Sequence, residues 1–202
     1  AVTPRTRFVL LNSPHNPTGT VLSPDELAAI AELAIEHDLT VITDEVYEHL
    51  TYDAAHVPIA TLPGMAERTL TISSIGKSYS FTGWKVGWAS GPAHLTGALL
   101  SAKQWLTFTS GAPLQPAAAH ALTEAADYSR ELAASLRDRR DLLLAGLAEA
   151  GLPAHTPEGT YFAISDVTHL GWEDAGTFCL ALPERAGVVG IPVQGFYADH
   201  PD

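Results

Sequence analysis

The sequence predicts an α/β fold: a mainly parallel sheet with flanking helices, followed by a smaller α+β C-terminal domain. Three observations predict it. Short apolar runs of strand length stand at 7–12, 39–43, 69–73 and 86–89. A helical pattern fills the stretch between the first two, which calls for parallel pairing through right-handed crossovers. After Pro92 the character changes to alanine- and leucine-rich stretches with helical spacing.

The elements follow in order. The run at 7–12 (Arg-Phe-Val-Leu-Leu-Asn) is continuous enough for a strand buried on both faces. In Asn16-Pro17-Thr18-Gly19, Pro at the second position and Gly at the fourth suit a type I turn. Ser23-Pro24-Asp25-Glu26 announces a helix, with Ser23 as cap, Pro24 in the first turn and Glu26 completing a capping box. Leu27, Ile30, Ala31, Ala34 and Ile35 give it one apolar stripe. The strand at 39–43 ends at Asp44, the strand at 69–73 ends just before Ser74, and 86–89 makes a fourth. Residues 92–106 read as a helix and 107–115 as a loop. From Pro116 to about Ala150 the chain reads as helical, interrupted near 127–129, with Gly151 as C-cap and Pro153 just beyond. Residues 159–166 read as a strand entering the smaller unit. The expected division is therefore 1–128 and 129–202.

Bulk composition narrows the function classes. Of 202 residues, 46% are hydrophobic and 17% charged, which is globular rather than disordered composition. A net charge of −12 argues against nucleic acid or an anionic membrane as partner. The single cysteine, Cys179, cannot form an internal disulfide, fits a reducing cytosol and reads as buried and inert. No apolar run is long enough to span a bilayer, and the first residues do not resemble a signal peptide, so a cytoplasmic location is expected.

The residues that carry chemistry stand at strand ends, where open parallel sheets bind ligands. Asn16, Asp44 and Lys77 each follow a predicted strand. Taken alone, Lys77 would be an ordinary solvated lysine. Its setting, Ser73-Ser74-Ile75-Gly76-Lys77 with Lys85 eight residues on, changes that reading. A lysine that forms a Schiff base needs a site for the aldehyde cofactor's phosphate. Ser74 offers a hydroxyl and Lys85 a point charge, while Gly83 and Gly87 allow close backbone approach. Asp44 ends a buried run, so its carboxylate must be paired or hydrogen-bonded. Tyr47 lies three residues on, and Asn16 either shapes its turn or offers an amide.

These segments resemble the pyridoxal-phosphate (PLP) aminotransferases of fold type I, the aspartate-aminotransferase-like superfamily of classes I and II. Asn16, Asp44, Tyr47, Ser74, Lys77 and the cation at 85 each match a cofactor residue of that family. The resemblance implies pyridoxal 5′-phosphate held as a Schiff base on Lys77, which is also the catalytic residue. It implies Asp44 against the pyridine nitrogen, Tyr47 and Asn16 on the ring oxygen, and Ser74 and Lys85 on the phosphate. Lysine at 85 departs from the more usual arginine. The run Phe81-Thr82-Gly83-Trp84-Lys85-Val86-Gly87-Trp88 is similar to the branch of kynurenine, methionine and N-succinyldiaminopimelate aminotransferases, the last being nearest.

The expected activity is transfer of an amino group from an amino acid to a 2-oxo acid. A carbon–sulfur β-lyase and a non-catalytic PLP-fold sensing module remain as alternatives. The resemblance also implies a homodimer and a longer chain. The Gly-rich phosphate loop and the arginine that clamps the substrate carboxylate fall outside these residues, so the chain is expected to be an incomplete part of the enzyme.

Overall fold

The computed structural model describes residues 2–198. Four strands form one sheet in the order β1 (Phe8–Asn12), β2 (Thr40–Asp44), β3 (Thr69–Ser74), β4 (Gly87–Ser90). β1–β2 and β2–β3 are parallel, as the crossover spacing predicts. β3–β4 is antiparallel, because only a short helix and a turn separate them and the chain returns directly. The register sets Asn12 beside Asp44 and Ser74 beside Gly87.

Helix α1 (Pro24–Glu36) crosses from β1 to β2 and covers one face of the sheet. Its capping box forms as predicted: Ser23 Oγ accepts from the Glu26 N–H, and the Ser23 N–H donates to Glu26 Oε2 at 2.8 Å. Leu27, Ala31 and Ala34 pack with Leu39, Val41, Ile59 and Met65 into the main core. Ile35 leaves the predicted stripe. It is 46% exposed, one step further round the helix, and flanks Gly64.

The opposite face is open among the described residues. Val9, Leu11 and Val41 face α1, whereas Phe8 and Leu10 are 56% and 68% exposed. The expectation that β1 is buried on both faces is thus corrected: it is an edge strand covered on one side.

A second core forms around α2 (Ile75–Ser78), which follows β3. Ile75, Tyr79 and Val86 pack there with Ala118 of helix α4 (Leu114–Glu124). Helix α3 (Ala93–Leu106) precedes α4. The helical stretch breaks at Ala125, two residues before the predicted interruption, and α5 (Ala126–Glu149) runs on unbroken past Ser129. It ends in a Schellman motif: Gly151 has φ +74, its N–H donates to the Ala148 carbonyl, and Leu152 N–H donates to that of Leu147. Helix α6 (Ala175–Ala186) is the last α-helix of the described residues, capped by Asp174 and Gly187, and a 3-10 turn at Val193–Phe196 follows it.

Two local expectations fail. The strand predicted at 159–166 is absent, and only the isolated bridges Thr51–Gly159 and Ala154–Ser165 form. Its backbone groups are instead used by neighbouring loops. The type I turn at 16–19 is replaced by a wider loop in which Gly19 N–H donates to the His15 carbonyl at 2.8 Å, with a cis bond before Pro17. Contacts from distant residues hold that loop: the Glu158 and Gly159 N–H groups both donate to the Gly19 carbonyl at 2.9 Å. Cys179 is half-buried rather than buried, and burial raises its thiol. No described helix is long and apolar enough to cross a membrane.

Candidate active site

The carboxyl ends of β1, β2 and β3 meet at one edge of the open face, and each supplies a predicted residue. Lys77 sits on α2 directly after β3. Ser74 caps that helix, its Oγ accepting from the Gly76 N–H at 3.2 Å. The Lys77 ammonium donates to the Tyr161 hydroxyl at 2.9 Å and lies 5.8 Å from the centre of the Tyr47 ring. The Tyr47 and Tyr161 rings meet edge to face at 5.3 Å.

Tyr47 is 1% exposed, and its hydroxyl is buried without a hydrogen-bond partner among the described residues. Burial raises its phenol, and the Tyr161 phenol and Asp44 carboxylate push the same way. Asp44 is half-buried on the open face. Its Oδ1 accepts from the Val46 N–H at 3.2 Å, and it has no ion-pair partner among the described residues.

The structure therefore brings Lys77 and Tyr47 together, with Asp44 beside them. Asn16 and Lys85 stand exposed, and no hydrogen bond engages either side chain among the described residues. Lys85 has φ +55, an unusual left-handed conformation for a non-glycine residue. At Gly87 an added Cβ would lie 2.8 Å from the Ser73 carbonyl oxygen of the paired strand, while at Gly83 it would meet nothing within 4 Å.

Tyr161 reaches Lys77 because the preceding segment is threaded between two strand-end loops. Thr160 N–H donates to the Leu50 carbonyl at 2.8 Å, and the Tyr52 N–H donates to that of Glu158 at 2.8 Å. The Tyr52 hydroxyl donates to the Thr160 carbonyl. Thr160 is fully buried with φ +66, a strained conformation for a β-branched residue, held by these bonds. From α5, Arg140 donates to Asp53 at 2.8 Å and to the Pro157 carbonyl at 2.9 Å, and Arg137 also pairs with Asp53. A cavity of about 310 Å³ opens beside Lys77, between Leu50, Tyr161 and the α5 residues Leu132, Leu136 and Arg139.

An amine after β3, with a carboxylate and a buried phenol together at the end of the neighbouring parallel strand β2, is the arrangement the resemblance implies. The family model described as "Aminotransferase class I and II" matches residues 1–202. The chain belongs to that family.

The chain is 56% identical over 197 residues to a probable N-succinyldiaminopimelate aminotransferase of Mycobacterium tuberculosis, covering 97% of this chain and 50% of that protein. A kynurenine–oxoglutarate transaminase of Dictyostelium discoideum is 41% identical, with 98% and 51% covered. The Escherichia coli methionine aminotransferase is 38% identical, with 96% and 51% covered. Among solved structures, N-succinyldiaminopimelate aminotransferase from M. tuberculosis superposes with a TM-score of 0.95 at 56% identity, over 98% of this chain and 52% of that one. The chain thus spans about half the length of the relatives it matches.

Class I aminotransferases of this family use pyridoxal phosphate, and the residues present fit it. Tyr47 leaves a buried hydroxyl with a bond to make, Asp44 an acceptor without a cation among the described residues, and Lys77 an amine held by the Tyr161 hydroxyl.

Three contributors escaped the sequence reading. Asn12 ties the site's floor together: its Nδ2 donates to the Asp44 carbonyl at 3.0 Å, and its Oδ1 accepts from the Asn16 N–H at 2.9 Å. Its signal was an amide at a strand end level with Asp44. The second is Tyr161 as the partner of Lys77, a bond that joins positions far apart in the chain. The third is His56, whose partner is Glu45.

Proposed function

We propose that this chain carries the cofactor-binding part of a PLP-dependent aminotransferase, which moves an amino group from an amino acid to a 2-oxo acid. The observation that carries this reading is Lys77 at a strand end, its amine held at 2.9 Å by Tyr161 and flanked by the unpartnered Tyr47 hydroxyl. When bound, PLP supplies an aldehyde that takes up the amino group and a ring that draws electrons from the substrate α-carbon. Lys77 would bind the aldehyde carbon and would move the proton at the substrate α-carbon. Asp44 would accept a hydrogen bond from the ring nitrogen and so favour its protonated form. Tyr47 and Asn16 would donate to the ring oxygen, and Ser74 and Lys85 would hold the phosphate.

The donor's side chain enters the cavity between Tyr161 and α5. N-succinyldiaminopimelate is the donor we favour, on the strength of the 56% identical relative. A cytoplasmic homodimer completes the reading, and the division at 128/129 would fall in the first turn of α5, giving most of that helix to the smaller domain.

Borohydride reduction of the full-length protein with PLP, followed by peptide mass mapping, tests the assignment. A phosphopyridoxyl adduct confined to Lys77 is expected, together with loss of turnover by about 10²–10⁴-fold in Lys77→Ala. Adducts scattered over other lysines would overturn it.

A further inference from the structure

Directly behind the site lies a buried ionisable pair to which the reading above gives no task. Glu45 and His56 have side chains only 2% and 7% exposed, with Glu45 Oε2 at 2.9 Å from His56 Nε2. The other carboxylate oxygen, Oε1, accepts from the Thr43 hydroxyl at 3.2 Å. Asp44 and Glu45 are consecutive at a strand end, so their side chains leave opposite faces of the sheet. Asp44 points to the open face and Glu45 to the interior. The backbone of Glu45 is held as well: its N–H donates to the Ile72 carbonyl at 2.9 Å, and its carbonyl accepts from the Glu48 N–H at 2.8 Å. That second bond closes the turn carrying Tyr47.

We propose that His56 is a positioning residue for the PLP site, acting through Glu45. A carboxylate this deeply buried is tolerated only while it is paired. With His56 in place, Glu45 is anchored inward, and the turn from Asp44 to Tyr47 is fixed between that anchor and the open face. Without His56, Glu45 keeps its charge only by swinging outward to solvent, and its backbone follows. Asp44 precedes it directly and Tyr47 lies two residues on, so both leave their places. Glu48, on the same turn, accepts from the Ser73 hydroxyl at 2.6 Å, which carries the displacement toward the β3–α2 junction that holds Ser74 and Lys77.

This inference rests on the reading that Asp44 and Tyr47 hold PLP, and the test separates the two. PLP dissociation constants are measured by titrating the full-length apoprotein, alongside its melting temperature. His56→Leu is expected to weaken PLP about 10–100-fold, the usual cost of removing a group that supports a binding residue. His56→Gln, whose amide donor reaches the same oxygen, is expected to stay within about threefold of wild type. Glu45→Met/His56→Leu, which leaves no buried charge, is expected to recover most of the loss. Should His56→Leu not fold, His56→Asn, whose amide falls short of Glu45, takes its place with the same expectation. A lowered melting temperature with an unchanged PLP constant would mean a purely structural pair and overturn the proposal. So would a double variant as weak as the single one. Asp44→Asn is the control: unaltered PLP binding there sinks the reading of the site itself, whereas a loss at Asp44 with none at His56 sinks only this inference.

Discussion

The Tyr47 phenol is the residue on which the site's logic is easiest to test. It is buried in a polar neighbourhood and makes no hydrogen bond among the described residues. An unsatisfied buried hydroxyl costs about 1–3 kcal/mol. Tyr47→Phe is therefore expected to stabilise the PLP-free protein by up to that amount, and to weaken PLP about tenfold by removing one hydrogen bond to a charged oxygen. Denaturation of the apoprotein and PLP titration check the two halves separately. A phenol that is merely packed would give a loss in the first measurement and no change in the second. Lys77 itself illustrates the limits of sequence reading at this scale. The serines, glycines and Lys85 around it are what single it out in the sequence. Its bond to Tyr161 has no such signal, because nothing local to either residue encodes a contact between segments so far apart.

At the scale of elements, the segment at 157–160 behaves as a strap between the loops after β1 and β2. Gly19 is where it passes closest. Gly19 has φ +73, and an added Cβ would stand 2.3 Å from Pro157 Cβ and 2.9 Å from the Gly159 carbonyl oxygen. Gly19→Ala is expected to cost about 1–3 kcal/mol through backbone strain, and more if the strap is displaced. Because displacement moves Tyr161 off Lys77, PLP binding should weaken with it, and the paired measurement of stability and PLP constant tests this. Arg140 and Arg137 fasten the same strap through Asp53. Hydrogen bonding from Arg140, opposed by partial burial and reinforced by both guanidinium charges, holds Asp53 below its ordinary carboxyl value of 3.8. A depressed carboxyl contributes stability that is complete above its unfolded value and disappears as pH falls through the folded one. The wild-type protein is thus expected to lose stability below about pH 4 more steeply than Asp53→Asn, as followed by melting temperature against pH. Parallel acid limbs would show that the pairing contributes nothing.

For the molecule as a whole, the open face of the sheet decides behaviour outside the site. Phe8, Leu10 and Ile72 are all more than a third exposed on the side that carries Asp44, and β1 is an unpaired edge among the described residues. Such a surface invites association. These residues expressed alone are expected to bind a hydrophobic dye and to self-associate, and Leu10→Lys should reduce both. Sedimentation of the two proteins measures it, and equal association would place the sticky surface elsewhere. The same face shows why the burial of β1 was misjudged. The run at 7–12 has the composition of a strand covered twice, but composition does not say whether the cover lies within these residues.

What the sequence determined by itself was everything carried by local rules. The Ser23–Glu26 capping box, the α1 core positions Leu27, Ala31 and Ala34, the Gly151 stop and the placing of Asn16, Asp44 and Lys77 after strands all follow from spacing and propensity over a few residues. The motifs around them sufficed to indicate the aminotransferase family. The tertiary structure decided what depends on partners distant in the chain. It reversed β4 and pulled residues 159–166 out of strand pairing to serve two loops. It widened the 16–19 turn, joined Tyr161 to Lys77, and buried Glu45 on His56. The reason is common to all of them. Backbone and buried polar groups must find partners, and where the nearest suitable partner is far along the sequence, only the folded chain shows which one is used.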